Sequence, residues 1–201
     1  MTTAEDNLDD AREARSEDRT HGQGREALLD AAIHVVATRG LRSLTYRAVA
    51  EKAGVVHGLV MHHFGSRDAL VEAALQFSLE RTLHFMADQR QERGIPALLD
   101  TLVDLIRVYP DDQAFQFELT LESRRRPELR PHIERLYQSY RELVRDELTG
   151  GGSPADDDLV HLVVSAIDGL LFAHLCFSGD EAARSAQKRL RQLLTNDYPF
   201  E

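Results

Sequence analysis

The chain has 201 residues, with 24 Lys/Arg against 34 Asp/Glu and a formal net charge of −10. This length supports one domain with a substantial core, or one small and one larger domain packed together. The single cysteine, Cys176, excludes an intrachain disulfide. Because we find neither a leader-like N-terminus nor an uninterrupted apolar span of about 20 residues, we expect a soluble cytoplasmic protein with no membrane partner.

The charge is distributed unevenly along the sequence. Residues 1–19 hold seven acids and three arginines, whereas residues 20–70 hold six Lys/Arg, four acids and five histidines. Residues 71–201 are strongly acidic. Of the three segments 1–19, 20–70 and 71–201, only residues 20–70 are therefore net basic. An acidic remainder would repel DNA, and this pattern therefore favours one docking orientation on a nucleic acid, with salt-sensitive binding.

The first elements in chain order form a recognisable motif. Residues 1–22 are polar, acid-rich and without an apolar period, which predicts a disordered acidic tail. Apolar residues recur every three or four positions over 25–39, and Gly40 follows as a stop signal, which predicts a first helix. A second short helix is expected from its N-cap Thr45 to Gly54, and a third follows at once. Two short helices joined by a glycine turn are typical of a helix-turn-helix.

The remainder is predicted to be helical. Ser66 is expected to cap a long helix that ends near Gln91. Further helices are expected over residues 94–109, 111–125, 127–148, 157–178 and 180–195. No segment alternates as a strand. We therefore predict an all-α fold of about nine helices, with a three-helix helix-turn-helix DNA-binding domain over residues 23–68 and a larger helical ligand-binding and dimerisation domain over residues 69–201.

The segment from Arg25 to Leu70 resembles the TetR family of bacterial regulators. The resemblance rests on a collinear set of matches: TRG ending at Gly40, Thr45 with Arg47 and Ala50, AGV at residues 53–55, Gly58, and HFGSRDAL at residues 63–70. The C-terminal half is more weakly similar to the BetI-like subgroup, through residues 124–137 and 166–172. The resemblance implies a homodimer that binds operator DNA, usually as a repressor, and that a small molecule releases.

The third short helix is the expected DNA-reading element. A helix of about eight residues can enter the major groove with the residues near its N-terminus facing base edges. A histidine there can donate to guanine, and a leucine can touch a thymine methyl group. The resemblance adds residues beside the phosphates. The predicted DNA-binding set is Thr45, Arg47, Val56, His57, Gly58, Leu59, His62, His63 and Arg67.

Three positions depart from the TetR pattern. Val56, Leu59 and Met61 stand where hydroxyl-bearing or small polar residues are usual, so each removes a hydrogen-bonding group from the expected DNA contact. Structural alternatives remain open for three residues of this region. His57 can be an exposed side chain that contacts nothing, His63 can be a packed ring, and Met61 can be a core residue.

Metal binding and catalysis are poorly supported. The spacings of His57, His62 and His63 do not form the i, i+4 pair of a helical metal site, so no metal is predicted. The pair His174 and Cys176 lies on an apolar helix without a third partner, and no Gly-rich phosphate loop is present. We expect no enzyme activity and no cofactor, and we expect Cys176 to be a small core residue.

The regulatory half contains apolar and aromatic residues among which a ligand can bind, although ordinary core packing explains each of them equally well. The predicted ligand pocket comprises His84, Leu105, Tyr109, Phe115, Glu118 and Glu122. The effector itself cannot be identified from these residues.

Residues 159–177 are apolar on nearly every side, so this helix needs cover on two sides. Charged and histidine residues within it argue against a membrane span, which leaves burial between its own domain and a partner subunit; a central helix of a monomer is the alternative. The predicted dimer interface comprises Leu159, Val163, Ile167, Gly169, Leu170 and Leu190.

The leading hypothesis is a ligand-responsive transcriptional repressor that binds a palindromic operator as a dimer. The alternative is a helical small-molecule-binding protein whose helix-turn-helix no longer reads DNA, because three hydroxyl positions are lost.

Overall fold

The structure is a computed structural model that describes residues 24–89, 94–150, 155–177 and 181–197. Within these ranges the chain is helical and contains no strand, which confirms the predicted all-α fold. The chain divides into two compact units, unit 1 (Met1–Ala74) and unit 2 (Leu75–Glu201). The predicted acidic tail over residues 1–22 lies outside the described residues.

Unit 1 contains the predicted helix-turn-helix. Its elements are α1 (residues 24–39), a 3-10 turn (Leu41–Ser43), α2 (Tyr46–Ala53), α3 (His57–Phe64) and the first part of α4 (Arg67–Gln89). The apolar stripe of α1 is buried, because a helix with apolar residues every three or four positions has one face to cover. The stripe and its partners in the core are Leu28, Leu29, Ala32, Ile33, Val36, Leu44, Val49, Val60 and Leu70.

Local signals in the sequence set the helix ends of unit 1. The Thr45 side chain accepts a hydrogen bond from the backbone N–H of Ala48 at 3.1 Å and so caps α2. Ser66 does the same for α4, accepting from Ala69 N–H at 3.0 Å. The turn between α2 and α3 contains Gly54 at φ 71°, a left-handed conformation that glycine adopts without steric cost. These ends agree with the predicted caps and turn.

Arg67 stabilises unit 1 from within. Its guanidinium donates to the backbone carbonyl of Leu44 at 2.9 Å and to that of Leu41 at 2.5 Å, and the side chain is partly buried. These carbonyls belong to the 3-10 turn and the residue that follows it; the Leu41 carbonyl also accepts from the Leu44 backbone N–H at 3.1 Å, so the guanidinium adds a second donor there and supplies one to the Leu44 carbonyl. Arg67 was expected beside DNA phosphates, and two of its guanidinium nitrogens are engaged inside its own unit.

Unit 2 contains the second part of α4 and the helices α5 (Ile95–Asp100), α6 (Leu102–Val108), α7 (Pro110–Glu122), α8 (Arg130–Thr149), α9 (Asp157–Cys176) and α10 (Glu181–Asp197). The sequence predicts one helix over residues 94–109, but the chain turns at Thr101, whose hydroxyl donates to the Leu98 carbonyl at 2.8 Å. The apolar pattern continues through this turn because the residues on both sides of it are buried, so periodicity alone cannot reveal the break.

A polar network joins α4 to α7 within unit 2. The Arg81 guanidinium makes a two-point contact with the Asp112 carboxylate, at 2.6 and 3.1 Å. It also lies over the rings of Phe77 and Tyr109, 4.8 and 4.9 Å from their centroids. Asp112 is almost fully buried. A buried carboxylate needs such a partner, because an unpaired charge in the core is strongly destabilising.

Two further hydrogen bonds continue this network along the same helix pair. The side-chain amide of Gln113 donates to the Thr82 hydroxyl at 3.2 Å, and that of Gln116 donates to the Ser78 hydroxyl at 2.7 Å. All four side chains are buried. Their spacing follows the helical period on both helices, so the α4–α7 network, defined by these two bonds and the Arg81–Asp112 pair, fixes one register of α4 against α7.

Helix α9 is also long and apolar enough to cross a membrane when judged by length and composition alone, with a mean hydropathy of 1.9. One such helix is weak evidence for a membrane span, because a buried core helix meets the same criteria.

We expect Arg67→Ala to lower the free energy of unfolding by about 2 to 3 kcal/mol, because the Leu44 carbonyl loses a charged donor and the Leu41 carbonyl keeps only its bond from the Leu44 N–H. Thermal and urea unfolding of the full chain, followed by circular dichroism, measures this difference. Arg39→Ala is the matched control, since Arg39 is an exposed arginine of unit 1, and its effect should stay within about 0.5 kcal/mol. Equal stabilities of the two variants would show that the Arg67 contacts contribute nothing.

Candidate functional site

Helix α3 is held in unit 1 by one narrow apolar ridge. Val60 is fully buried and Phe64 nearly so, and their spacing of four residues places them on one side of the helix. The Arg25 guanidinium lies over the Phe64 ring, 5.4 Å from its centroid. At the end of the helix, the Tyr46 hydroxyl donates to the Gly65 carbonyl at 3.2 Å, which ties α2 to the chain after α3.

The opposite side of α3 faces outward. His57, Gly58 and His62 are exposed, and Leu59 and His63 are half-buried beside the ridge. The positions 58 and 62 lie one helical turn apart, as do 59 and 63. No side chain or backbone atom approaches within 4 Å of the place where a Cβ of Gly58 would lie. Because Gly58 has no side chain, another molecule can approach the backbone of α3 closely at this position.

The apolar substitutions on α3 are surface residues. Val56, at the N-cap of α3, is 75% exposed, and Met61 is 54% exposed. The alternative that Met61 belongs to the core is therefore wrong. Because these side chains face outward beside His57 and His62, the α3 surface offers methyl and thioether groups as well as imidazoles.

Thr45 and Arg47 lie at the start of α2 and are both exposed. The Thr45 hydroxyl is already used as the helix cap. Arg47 behaves differently from Arg67: within the part of the chain that the structure describes, no hydrogen bond or ion pair to its guanidinium is found. A cationic side chain of this kind is available for an anionic partner.

Unit 2 encloses a cavity between α4, α5, α6, α7, α8 and α9. Its volume is about 40 Å³, so a molecule larger than a few waters enters only if lining side chains move apart. Most of its lining is apolar, as in typical small-molecule sites. Its polar lining residues are Thr82, Gln113, Gln116, Thr120, Tyr137, Tyr140 and Asp168.

Of the six predicted pocket residues, Leu105 lines this cavity and the others do not. His84 is exposed and pairs with Asp88 on its own helix at 3.1 Å. Tyr109 packs edge-on against Phe85, with ring centroids 5.5 Å apart, and under Arg81.

The remaining three of these predictions are also corrected. Phe115 is fully buried away from the cavity lining, whereas Phe117, two residues further along α7, lines it. Glu118 lies in a surface groove together with Arg124 and Arg125. Glu122 pairs with Arg125 at 2.6 Å and with Arg126 at 3.7 Å.

None of the seven polar lining residues was predicted, and three of them carry titratable groups. Tyr137 and Tyr140 come from α8, and Asp168 comes from α9. Burial raises the pKa of the Asp168 carboxyl above its ordinary value, and hydrogen bonding with the Tyr137 hydroxyl partly offsets this effect. Burial also raises the pKa of both tyrosines. The available signal was an acid within an otherwise apolar helix, since a lone carboxylate there needs a specific environment.

The exposed side of α9 differs from the predicted interface. Val163, Ile167 and Leu170 are buried in the core of unit 2, and Leu159 and Leu190 pack partly against it. These residues therefore belong to the core of their own chain. The prediction that Val163, Ile167 and Leu170 form the dimer interface is corrected accordingly.

The exposed residues of α9 lie on a different side of the helix from most of the predicted interface. A stripe among them consists of Leu162, Ser165, Gly169, Phe172 and Cys176, which recur every three or four positions and are all exposed. Leu162 is 65% exposed, and no atom lies within 4 Å of a Cβ placed on Gly169. Of the predicted interface, Gly169 thus lies on this surface, which we call the α9 stripe.

The remaining candidates for chemistry do not converge. Cys176 is exposed, so its assignment as a core residue is wrong. The His174 ring contacts the Gln187 side chain at 3.2 Å. Among the described residues, no three His, Cys, Asp or Glu side chains come close enough together to hold a metal ion.

Comparisons with known proteins agree with this arrangement of elements. Residues 28–74 match the family described as bacterial regulatory proteins, tetR family, and residues 90–196 match the tetracyclin repressor-like, C-terminal domain. The structure of a member of the TetR family from Streptomyces coelicolor A3 superimposes with a TM-score of 0.66 and 25% identity, over 85% of this chain and 97% of that one.

Sequence relatives match a shorter stretch. The chain is 37% identical over 73 residues to the HTH-type transcriptional regulator BetI of Paraburkholderia phytofirmans, which covers 36% of each chain. It is 41% identical over 56 residues to the HTH-type transcriptional repressor KstR2 of Rhodococcus jostii, which covers 28% of each. The chain thus spans about a third of the length of these relatives. The two family matches together cover most of the sequence, and the chain therefore belongs to the TetR family of bacterial regulatory proteins.

Proposed function

We propose that this chain is a transcriptional repressor that binds operator DNA as a homodimer and is released by a small molecule bound in the cavity of unit 2. In this proposal residues 23–68 bind DNA, and residues 69–201 bind the effector and form the dimer. The protein acts in the cytoplasm as a regulator and not as an enzyme. The observation that carries the proposal is the outward side of α3, exposed around Gly58 on a helix anchored by Val60 and Phe64.

The α3 surface suits the major groove. An α-helix fits this groove, and the residues near its N-terminus face the base edges. His57 is a hydrogen-bond donor or acceptor at that end, while exposed Val56 and half-buried Leu59 are suited to thymine methyl groups. Thr45 and Arg47 are placed one short helix away as phosphate contacts. His62 and His63, at the other end of α3, are further candidates, and so is Arg67, although two of its guanidinium nitrogens already bond to backbone carbonyls of unit 1.

We expect the full chain to retard DNA from upstream of its own gene in an electrophoretic mobility shift assay, and Arg47→Ala to weaken this binding to all sequences alike. The loss of a phosphate contact should also lower the slope of log affinity against log salt by about 1 per protomer. Arg135→Ala, which removes the same charge from an exposed site on α8, is the control. No retardation by the unmodified protein at micromolar dimer and low salt would instead favour the alternative, a small-molecule-binding protein with a degenerate helix-turn-helix.

His57→Ala should change the preference among operator variants. A good contact between a side chain and a base edge discriminates by about 1 to 3 kcal/mol against the wrong base. Competition binding with operators substituted at single base pairs measures this loss, which should fall on one position in each half-site. A uniform loss across all operators would make His57 a backbone contact.

Dimerisation follows from the requirement to place two recognition helices about one turn of DNA apart, roughly 34–36 Å. The α9 stripe is the surface that best suits a second copy, because it exposes Leu162 and Phe172 and bears a glycine that permits close approach of another helix. Helix α10 also exposes two apolar residues, Ala186 and Leu193. A helix that is apolar on two sides needs cover on both.

We expect Leu162→Glu to convert the dimer into a folded monomer, because it places a charge in the middle of an apolar interface while leaving the core of unit 2 intact. Sedimentation velocity gives the mass, and circular dichroism confirms the fold. Leu121→Glu is the matched control, since Leu121 is 54% exposed on α7, outside the α9 stripe. A dimer that persists in Leu162→Glu but dissociates in Leu121→Glu would move the interface to α7.

Effector binding has a direct structural link to α4. Three residues of the cavity lining, Thr82, Gln113 and Gln116, also form the α4–α7 network. A ligand that competes for these groups changes the position of α4, and α4 contains residues of both units. Such a ligand weakens DNA binding only by the difference in its affinity for the two arrangements, typically about 1 to 3 kcal/mol.

A further inference from the structure

The lining of the unit 2 cavity has an unbalanced charge. Among the described residues that form it, ten are apolar, six are polar without charge, and one, Asp168, is acidic. Neither lysine, arginine nor histidine is found among these lining residues. The only formal charge that a bound molecule meets there is therefore negative.

The uncharged polar groups of the lining are largely occupied by one another. The Gln116 amide nitrogen donates to Ser78, and its amide oxygen accepts from the Tyr140 hydroxyl at 2.6 Å. The Gln113 amide donates to Thr82, and the Thr120 hydroxyl donates to the Gln116 carbonyl at 2.8 Å. These groups stabilise the protein and offer few free donors to a ligand.

Asp168 has capacity that the protein does not use. A carboxylate accepts about four hydrogen bonds, and the polar group beside it here is the Tyr137 hydroxyl, which lowers the pKa of the carboxyl and so favours its charged form. In the ranges that the structure describes, no cationic side chain forms an ion pair with it. The carboxylate is half-buried, and the cost of its desolvation falls when a positive charge is placed beside it.

Aromatic rings complete the surroundings of this carboxylate. Phe117, Tyr137 and Tyr140 all line the cavity, and the two tyrosine rings meet edge to face, with centroids 6.3 Å apart. The faces of such rings attract cations, and they also pack well against apolar groups. The lining thus combines one anionic acceptor, π surfaces and aliphatic side chains.

We propose that this cavity binds a monocationic amine or quaternary ammonium compound with an apolar body, with the positive charge beside Asp168 and the body against the aliphatic and aromatic lining. The inference builds on the proposed function by naming the chemical class of the effector, but ligand binding itself is measured without DNA.

The test is isothermal titration calorimetry of the full chain with pairs of probes that differ only in charge: 2-phenylethylammonium against 2-phenylethanol, 4-phenylbutylammonium against 4-phenylbutanol, and hexylammonium against hexanol. At least one cation is expected to bind ten times or more tightly than its own alcohol. If no pair shows this preference, the proposal is overturned.

Substitutions of Asp168 test whether its carboxylate causes the preference for cations over alcohols. Asp168→Asn should bring the cation-to-alcohol ratio close to one, and Asp168→Glu, which keeps the charge, should retain a preference for the cation. Asp104→Asn is the matched control, because it removes the same charge from an exposed site on α6, and it should leave the ratio unchanged. A tenfold preference that survives in folded Asp168→Asn, or that is lost in Asp104→Asn, contradicts a role for Asp168.

The mobility shift assay separates this inference from the proposed function. Operator binding without any cation preference rejects the ligand class and leaves the repressor proposal standing. Cation preference that depends on Asp168 in a chain that does not bind DNA supports the ligand class and rejects the repressor.

Discussion

A helix of eight residues is not stable alone in water, so everything that α3 presents outward depends on the burial of Val60 and Phe64 beneath it. The ridge is narrow, and the contacts of Tyr46 and Arg25 at its end stabilise the helix without covering its exposed side. Because Val60 and Phe64 supply the buried ridge, core packing does not constrain the exposed positions of α3. This explains how Val56 and Met61 occur on α3 without harm to the fold.

In unit 2 the corresponding constraint is polar. Apolar packing alone would permit several registers between α4 and α7, since leucine-rich surfaces tolerate small shifts. The Arg81–Asp112 pair and the Ser78–Gln116 and Thr82–Gln113 hydrogen bonds hold one register, because any other would leave buried donors and a buried carboxylate unpaired. Such a network resists gradual deformation of the helix pair.

The fold could be predicted well in unit 1 because local chemistry determines it there. A threonine cap, a glycine at positive φ and an apolar stripe each specify one structural outcome. The cavity and the α9 stripe could not be predicted in the same way. In α9 the buried Val163 and Ile167 and the exposed Leu162 have the same apolar character, so the sequence pattern does not show which side packs inward.

Similar ambiguity affects the residues around the cavity. Phe115 and Phe117 are identical in type and two positions apart, yet one is core and the other lines the cavity. Arg67 presents a different difficulty: a basic residue next to the predicted DNA-reading helix suggests a phosphate contact, while the carbonyls that bind it come from residues over 20 positions away. Only the three-dimensional arrangement identifies such partners.

The chain has no tryptophan and five tyrosines. Its intrinsic ultraviolet emission therefore comes from tyrosine alone, and two of the five, Tyr137 and Tyr140, line the cavity. A molecule that enters the cavity alters the surroundings of a large share of the emitting groups. The unmodified protein thus carries its own optical reporter of occupancy, and no label needs to be attached to follow it.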